Sequence, residues 1–259
     1  MPFTIATWNV NSIRSRLHAL LPWLGKVKPD VVCLQETKVQ DPDFPMSAIE
    51  GAGYRAVFRG EKSYNGVAIL SKAPIEAVRH GFDDGGPADE ERLICATVGG
   101  VAVVNAYVPQ GRAPDHEMFA YKLEWFGRLR SFLGTHYSPD RPLVLVGDLN
   151  VAPEPIDVHD PKRLLGHVCF NPLASEALDT VVAWGLIDVF RKHVPESGQY
   201  TYYDYRARNA IEEAKGWRID HILATSTLAE HSVNALIDLD PRRGERPSDH
   251  TPLLAEFNL

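Results

Sequence analysis

Short apolar runs separated by turn-forming residues recur along the chain and predict strands. The runs are rich in β-branched or apolar residues and are bounded by turn formers such as Gly, Pro, Asn and Asp, which is the usual signal of strands between turns. They cover residues 4–10, 30–35, 66–71, 94–98, 101–108, 143–146, 218–224 and 253–257. Several runs are apolar at successive positions, which is typical of strands buried on both faces.

Three segments predict helices. Apolar residues recur at spacings of three and four from Ile13 to Val27 and from Phe119 to Leu133, and a third helix is predicted at about residues 174–184. Pro22 lies inside the first segment and is expected to kink or shorten it. Because the strands come in adjacent pairs and the helices are few, the pattern favours two sheets packed face to face and covered by helices over strict βαβ alternation. We therefore predict an α/β sandwich.

The composition is that of an ordinary globular protein. Of the 259 residues, 44% are hydrophobic and 24% are charged, which excludes a disordered, fibrous or coiled-coil protein. We expect a single domain over residues 1–259, since sandwiches of about this size often fold as one unit. No apolar run approaches the length that spans a membrane, so no membrane partner is expected.

The three cysteines, Cys33, Cys95 and Cys169, are widely and unevenly spaced. Neither a zinc site nor a disulfide framework has this spacing, so we expect buried thiols. The odd number of thiols, and an N-terminal segment without a basic region followed by an apolar one, indicate a cytoplasmic protein.

The net charge of −7 argues against binding nucleic acid through bulk electrostatics. Basic residues nevertheless cluster locally, although each cluster taken alone is most simply a solvated loop. The clusters are Arg14 and Arg16; Arg206, Arg208, Lys215 and Arg218; and Arg242, Arg243 and Arg246.

Polar side chains stand where apolar strands end or begin. The segments are Trp8-Asn9-Val10-Asn11, Leu34-Gln35-Glu36-Thr37, Asn105-Ala106-Tyr107, Gly147-Asp148-Leu149-Asn150, Ile219-Asp220-His221 and Ser248-Asp249-His250. A single Asn or Asp at a strand end is usually a turn former. Together, however, these groups supply carboxylates, amides, a phenol and an imidazole, which is the inventory of a hard-cation site with acid and base groups.

The ligand types narrow the chemistry. Oxygen ligands without cysteines or closely spaced histidines favour Mg²⁺ or Mn²⁺ over Zn²⁺, and Mg²⁺ is commonly shared with substrate phosphate. The sequence contains no GxxxxGK[ST], GxSxG or strand-following GxGxxG motif, so P-loop hydrolases, α/β-hydrolases and dinucleotide-binding enzymes are disfavoured. We expect a phosphate ester as substrate and water as nucleophile.

Eight blocks identify a family resemblance that covers essentially the whole chain. In order they are TWNVNSIRSR, DVVCLQETK, YNGVAILSK, VVNAYVPQG, LVLVGDLNVAPEPID, YTYYDYRARN, GWRIDHILAT and RPSDHTPLLAEF. They resemble the exonuclease III family of apurinic/apyrimidinic endonucleases in the endonuclease/exonuclease/phosphatase superfamily. The resemblance implies a four-layered αββα sandwich, with two mixed sheets flanked by helices and the site at one edge of the sheets.

The resemblance also implies roles for the strand-end residues. Its metal ligands are Glu36 as the principal carboxylate, with Asn9, Asp148, Asn150 and Asp249, and one or two metal positions remain open. Its catalytic residues are Asp148, which deprotonates water; Asn150, which holds the water or phosphate; Asp220, which orients His250 toward the phosphate; and Tyr107, which assists at the phosphate or the leaving oxygen.

The implied substrate is double-stranded DNA with abasic sites or blocked 3′ ends. Tyr202, Trp217 and Ile219 match positions that form an apolar pocket for a baseless deoxyribose, and the loop from Arg206 through Arg208 to Lys215 is expected to grip the duplex. Bacterial members often carry Trp at Tyr202, whereas GWRID resembles the animal branch. This mixture leaves open the balance among abasic-site cleavage, 3′ to 5′ exonuclease and 3′-phosphatase or phosphodiesterase activity.

Two alternatives share the fold. A small-molecule or lipid phosphodiesterase would use the same acid and base groups, but the chain lacks a membrane-associating hydrophobic hairpin. A catalytically inactive nucleic-acid-binding regulator would have lost catalytic side chains, all of which are present here. His159, His167 and His221 match no catalytic role, and His221 is expected to be a sheet residue. Since nothing resembles a dedicated dimer element, we expect a monomer.

Overall fold

Two six-stranded sheets form the centre of the protein, in a computed structural model that describes residues 2–259. The strands are β1 (Phe3–Asn9), β2 (Val31–Gln35), β3 (Arg55–Arg59), β4 (Val67–Ser71), β5 (Glu76–His80), β6 (Leu93–Val98), β7 (Val101–Tyr107), β8 (Leu143–Asp148), β9 (Leu186–Asp188), β10 (Asp220–Thr225), β11 (Ser232–Ile237) and β12 (Leu253–Phe257). One sheet has the order β11-β12-β1-β2-β4-β3 and the other β5-β6-β7-β8-β10-β9. Both are mixed, because β1 and β2, and likewise β7 and β8, are parallel while their other neighbours are antiparallel.

Most helices cover the outer faces of the sheets, whereas the short helices at Val189–His193 and Ser226–Ala229 contribute to the core between the sheets. They are α1 (Ile13–Val27), α2 (Met46–Gly51), α3 (Glu117–His136), α4 (Pro161–Leu164), α5 (Pro172–Val182), α6 (Val189–His193) and α7 (Ser226–Ala229), with short 3₁₀ helices at Asp41–Asp43, Pro155–Asp157 and Pro241–Arg243. Helix α1 continues through Pro22, so the predicted shortening is wrong. No helix within residues 2–259 has both the length and the apolar character needed to cross a membrane.

Three layers of core separate these elements. Alternate residues of both sheets, such as Val31 of β2 and Val144 of β8, meet in the core between the sheets. The opposite face of the first sheet packs against α1 through residues such as Trp8 and Leu20. The opposite face of the second sheet packs against α3 and α5. The arrangement is helix, sheet, sheet, helix, and the predicted αββα sandwich is confirmed.

The predicted strands are the eight inner ones, and the three predicted helices are also present, with ends that differ by up to three residues. The unpredicted strands are β3, β5, β9 and β11, which are the outermost strands of the two sheets. The strand predicted from Arg218 begins at Asp220 instead, because Trp217 pairs with Tyr202 and Val158 outside the sheet. The three cysteines are free and buried, as expected.

Candidate active site

Polar residues end the inward-facing rows of several strands. On β8, Val144 and Val146 face the other sheet, and the two-residue period of a strand places Asp148 on the same face. Asp148 is paired in register with Tyr107 of β7 on one side and with Asp220 of β10 on the other. In the opposite sheet Asn9 and Gln35 are paired where β1 and β2 end. The carboxylates therefore meet at one edge of the sandwich.

Backbone conformation at this edge is unusual. Gly147 has φ +136°, and a Cβ at this position would lie 1.9 Å from the Ala106 carbonyl oxygen. Only glycine therefore allows β7 and β8 to approach at the residue before Asp148. Glu36 and Asn150 both have φ +52°, a left-handed conformation that is uncommon outside glycine and that clusters at functional sites.

A hydrogen-bonded group of polar side chains links the two sheets. The Asn9 amide Nδ2 donates to Glu36 Oε1 and to Asp148 Oδ2, each at 2.9 Å. The Tyr107 hydroxyl also donates to Glu36 Oε1, at 2.8 Å. The second oxygen of Glu36, Oε2, lies 2.6 Å from the ammonium nitrogen of Lys38. Asn9 thus joins the two carboxylates, and Lys38 balances one of their charges.

His250 and Asp220 form a buried pair beside Asp148. His250 Nδ1 lies 2.8 Å from Asp220 Oδ2, and its Nε2 lies 3.8 Å from Asp148 Oδ2. The other Asp220 oxygen, Oδ1, is buried without a hydrogen-bond partner. The His250 backbone is fixed by the Trp8 indole, which donates to its carbonyl oxygen at 3.2 Å. The imidazole is therefore held in one orientation, with Nε2 directed toward Asp148.

Burial and mutual charge shift the pKa values of these groups. Burial, together with the Asp220 carboxylate, raises the pKa of Asp148 to about 7, against the opposing influence of His250. Burial alone would lower the pKa of His250, but Asp220 and Asp148 raise it to about 10. Burial alone would raise the pKa of Glu36, but the Lys38 ammonium lowers it. Burial and the Glu36 carboxylate hold the pKa of Tyr107 well above its usual value, so this phenol stays protonated.

Asn150 and Asp249 occupy opposite sides of the same edge. The Asn150 backbone N–H donates to Asp148 Oδ1 at 3.0 Å, and its side-chain Nδ2 donates to the Val108 carbonyl oxygen at 3.0 Å. Asp249 Oδ1 accepts a hydrogen bond from Asn11 Nδ2 at 3.0 Å. Asn9 Oδ1 accepts from the Asn11 backbone N–H, so the Asn9 oxygen is already bonded within the chain.

A cavity of about 270 Å³ opens over these groups. Its lining includes ten of the residues that sequence predicted for the site: Glu36, Tyr107, Asp148, Asn150, Tyr202, Arg206, Trp217, Ile219, Asp249 and His250. Asn9 and Asp220 lie beneath it, bonded to Asp148 and His250 respectively. Arg208 is exposed and outside the cavity lining.

Aromatic rings form part of the cavity wall. The Tyr202 ring lies 5.0 Å from the His250 ring, and the Trp217 ring lies 4.7 Å from the His167 ring. Arg206, whose side chain is 89% exposed, pairs with Asp204 at the rim, at 2.6 Å. The cavity lining therefore combines acidic and aromatic side chains.

Several site residues were not predicted. Lys38 and Gln110 lie in quoted blocks, two residues after Glu36 and three after Tyr107, so their position in the motif could have indicated them. His167 and Cys169 line the cavity from a loop without any motif. His221 is buried in β10, as expected.

Arg218 does not belong to a basic surface. Its side chain is 1% exposed and pairs with Asp157 at 2.6 Å and with Asp188 at 2.7 Å. The sequence analysis grouped Arg218 with the basic residues Arg206 and Arg208, and this assignment is wrong. The Arg218 guanidinium is buried because it pairs with two carboxylates inside the fold.

The donor set suits a metal ion. Ligand atoms of Asp148, Asp220 and His250 lie within 4.8 Å of one another and are buried. The raised pKa of His250 keeps its imidazole charged at neutral pH, so the carboxylates rather than this imidazole are the donors that suit a cation. The raised pKa of Asp148 reflects uncompensated negative charge in a buried environment, and a cation would relieve it. Carboxylate oxygens are the ligands that hard divalent cations prefer.

The sequence and the fold are similar to those of known proteins. Residues 6–250 match the model of the Endonuclease/Exonuclease/phosphatase family. The chain is 35% identical to exodeoxyribonuclease III of Haemophilus influenzae, with 97% of this chain and 98% of that protein covered. It superposes on an AP endonuclease from Archaeoglobus fulgidus with a TM-score of 0.97 and 49% identity, covering 99% and 100% of the two chains. It also superposes on a Neisseria 3′ phosphatase bound to a product DNA hairpin, with a TM-score of 0.94, 36% identity and coverage of 99% and 100%.

The family match, the sequence relatives and the structural relatives all cover nearly the full length of the chain. The matches to the relatives named above cover 97% or more of this chain, and these relatives are an exodeoxyribonuclease, an AP endonuclease and a 3′ phosphatase. The chain belongs to the endonuclease/exonuclease/phosphatase family and, within it, to the exonuclease III group of DNA-repair nucleases.

Proposed function

We propose that this nuclease hydrolyses the phosphodiester bond 5′ to an abasic site in double-stranded DNA, using Mg²⁺ or Mn²⁺. The observation that carries the proposal is the cavity whose lining combines acid and base groups with Tyr202, Trp217 and Ile219. A baseless deoxyribose presents an apolar ring face beside a charged phosphate, which matches this combination. A base stacked in an intact duplex cannot enter without being flipped out.

The residues that would hold the divalent cation are Glu36, Asp249 and Asp148. When bound, the cation would neutralise charge on the phosphate and lower the pKa of a bound water. Asn9 and Asn150 orient these carboxylates, because their amide groups are already bonded to Asp148, Asn11 and Val108. The proposed ligand set therefore differs from the one that the resemblance implied, because Asn9 and Asn150 are no longer metal ligands.

Asp148 accepts the proton of the attacking water. The Asp148 carboxylate lines the cavity and accepts hydrogen bonds from Asn9 Nδ2 and the Asn150 backbone N–H. With a cation bound, the pKa of Asp148 would fall from about 7, which would keep the carboxylate ionised and able to accept a proton. The water oxygen forms a bond to phosphorus while the bond from phosphorus to the 3′ oxygen breaks. The products are a 3′-hydroxyl and a 5′-deoxyribose phosphate.

His250 and Tyr107 donate hydrogen bonds to the phosphate or the leaving oxygen. His250 is charged at neutral pH because Asp220 and Asp148 raise its pKa to about 10, and its Nε2 is directed into the cavity. Tyr107 stays protonated because burial and the Glu36 carboxylate raise its pKa. A phenol has one O–H donor, and Tyr107 donates it to Glu36 Oε1 in the free protein, so it would donate to the substrate by exchanging this partner. Donors fixed in place before reaction stabilise the charge that develops in the transition state.

The duplex is gripped at the rim of the cavity. Arg206 and Arg208 are exposed beside the aromatic wall, and their guanidinium groups would contact phosphates and release counterions. Pairing with Asp204 reduces the field of Arg206 in the free protein. Phosphate would compete with this carboxylate for the same guanidinium.

We further propose that residues 1–259 act as one domain and as a cytoplasmic monomer. Both sheets share one core and both contribute to the cavity, which supports a single unit. Three free, buried thiols suit a reducing compartment.

Single-turnover cleavage of a duplex with one abasic-site analogue tests the proposal, with Mg²⁺, with Mn²⁺ and with EDTA. We expect incision 5′ to the lesion only with metal. An intact duplex and a duplex ending in a 3′-phosphate are assayed in parallel. Binding without cleavage of any of these substrates would support the inactive regulator instead.

End trimming is a second candidate activity, because a Neisseria 3′ phosphatase is similar over the whole chain. Trp217→Ala separates the two activities. We expect this variant to lose abasic-site cleavage roughly tenfold more than 3′-phosphate removal, because only the abasic sugar needs the aromatic wall. Equal losses would remove Trp217 from substrate selection.

A further inference from the structure

A fully buried lysine lies behind the cavity without a carboxylate partner. Lys122 is on α3 and is 0% exposed. Within residues 2–259 its ammonium forms no ion pair, and its hydrogen bonds all go to backbone carbonyl oxygens. Lysine is almost never fully buried unless its charge is compensated, so three carbonyl dipoles replace the usual counter-ion here.

Each of the three carbonyls belongs to a different loop. The Lys122 Nζ donates to the carbonyl oxygens of Asn150 and Val168 at 2.7 Å, and to that of Gln110 at 3.3 Å. These residues follow β8, precede α5 and follow β7, respectively. An ammonium group has three N–H donors, so the three loops use all of its capacity.

The same three loops supply walls of the active-site cavity. The side chains of Gln110 and Asn150 line it, and His167 and Cys169, which flank Val168, line it from the third loop. Asn150 also donates its backbone N–H to Asp148 Oδ1 at 3.0 Å. Lys122 therefore binds the backbone carbonyl oxygen of Asn150, and the backbone N–H of the same residue binds Asp148.

We propose that Lys122 is a positioning residue that joins these three loops and so sets the geometry of Asp148, Asn150 and the cavity wall. Lys122 itself does not line the cavity. Its effect passes through the backbone, where a displacement of about 1 Å at the reacting groups can cost on the order of 10²-fold in rate.

The kinetic test compares Lys122→Met with Leu129→Ala. Methionine keeps the length of the chain and removes all three donors. Leu129 is a buried residue of the same helix, away from the cavity lining, so its truncation lowers stability without releasing the loops. We expect Lys122→Met to lower kcat on the order of 10²-fold with KM within about threefold of wild type, and Leu129→Ala to leave both nearly unchanged. Equal kcat in Lys122→Met and Leu129→Ala would overturn the proposal.

A second readout does not depend on turnover. Cys169 is 5% exposed and lies beside Val168, so release of this loop exposes its backbone amides. Deuterium labelling of the backbone amides of residues 167–170, located by peptide mass spectrometry, should be about tenfold faster in Lys122→Met than in Leu129→Ala. Unchanged labelling would also overturn the proposal.

The kinetic arm rests on the proposed function, whereas the labelling arm does not. If wild-type protein cleaves no abasic DNA, the proposed function fails and the labelling arm still decides the role of Lys122. If Lys122→Met does not fold, Lys122→Gln replaces it. Its amide keeps two donors, and we expect intermediate kcat and labelling rates; wild-type values for both would count against the proposal.

Discussion

Replacing Asp220 by asparagine isolates the charge that supports His250. Asp220 Oδ2 lies 2.8 Å from His250 Nδ1, and both side chains are buried. Asparagine has nearly the same shape, so Asp220→Asn removes the charge while the surrounding packing remains. The expected effect therefore falls on His250 rather than on the fold.

The size of the effect follows from the electrostatics of the pair. Two unit charges about 4 Å apart at an effective dielectric constant of about 20 interact by about 4 kcal/mol, which is roughly three pKa units. Asp220 is the strongest of the charges that raise the pKa of His250 to about 10. Without it, we expect that pKa to fall to roughly 7. Since a raised pKa keeps the imidazole charged below that value, the variant loses the charged form as the pH rises through neutrality.

The assay is single-turnover cleavage of abasic duplex DNA with Mg²⁺ from about pH 6 to about pH 9. We expect Asp220→Asn to lower the rate about 10²- to 10³-fold at neutral pH and to lose further activity toward alkaline pH. Asp204→Asn is the matched control, because it also removes a carboxylate near the cavity but not one that contacts His250. A rate within about threefold of wild type at every pH would refute the role assigned to the pair.

Three further predictions test neighbouring parts of the site. Asp148→Asn should abolish most turnover while DNA binding, measured by fluorescence anisotropy, stays equal or becomes tighter, because less negative charge faces the phosphate; normal turnover would exclude Asp148 as the base. Tyr107→Phe removes the hydrogen bond to Glu36 and should raise the Mg²⁺ concentration for half-maximal rate several-fold, whereas an unchanged metal titration would contradict the coupling between these residues. Burial alone would raise the pKa of Asp157, but Arg218 and Arg191 lower it, so this carboxylate stabilises the fold above its unfolded pKa of about 4, and that stability is lost as the pH falls. Arg218→Met should therefore lower the free energy of unfolding by about 3 kcal/mol at neutral pH and reduce its rise from about pH 3 to about pH 6, as measured by urea denaturation; an unchanged pH profile would show that the cluster does not carry this dependence.

The inner strands could be predicted because burial on both faces requires apolar residues at successive positions. β2 and β8 are buried at every residue, and their sequences show it. The outermost strands β3 and β5 are partly exposed and carry charged residues such as Arg55 and Glu76. Because an edge strand is partly exposed to solvent, polar residues are tolerated at many of its positions. Its pattern of hydrophobic and polar residues therefore resembles that of a loop.

The types of polar side chain in the site could also be predicted from the sequence. The two-residue period that buries Val144 and Val146 continues to Asp148, so a polar residue there had to face the other sheet. Polar residues at the corresponding ends of β1, β2 and β7 gave the same indication. The family resemblance then assigned roles that spacing alone left open.

The family resemblance implied the partnership of Asp220 with His250, which the structure shows across 30 positions. Only the tertiary structure decided other partners: Asn9 meets Asp148 across 139 positions, and this separation has no sequence signature. The same is true of Lys122, whose three carbonyl partners come from loops that are far apart in sequence, and of Arg218, which the sequence analysis counted as surface charge. A residue's burial and pKa depend on the segments packed around it, whereas the apolar pattern of a strand depends mainly on the strand itself.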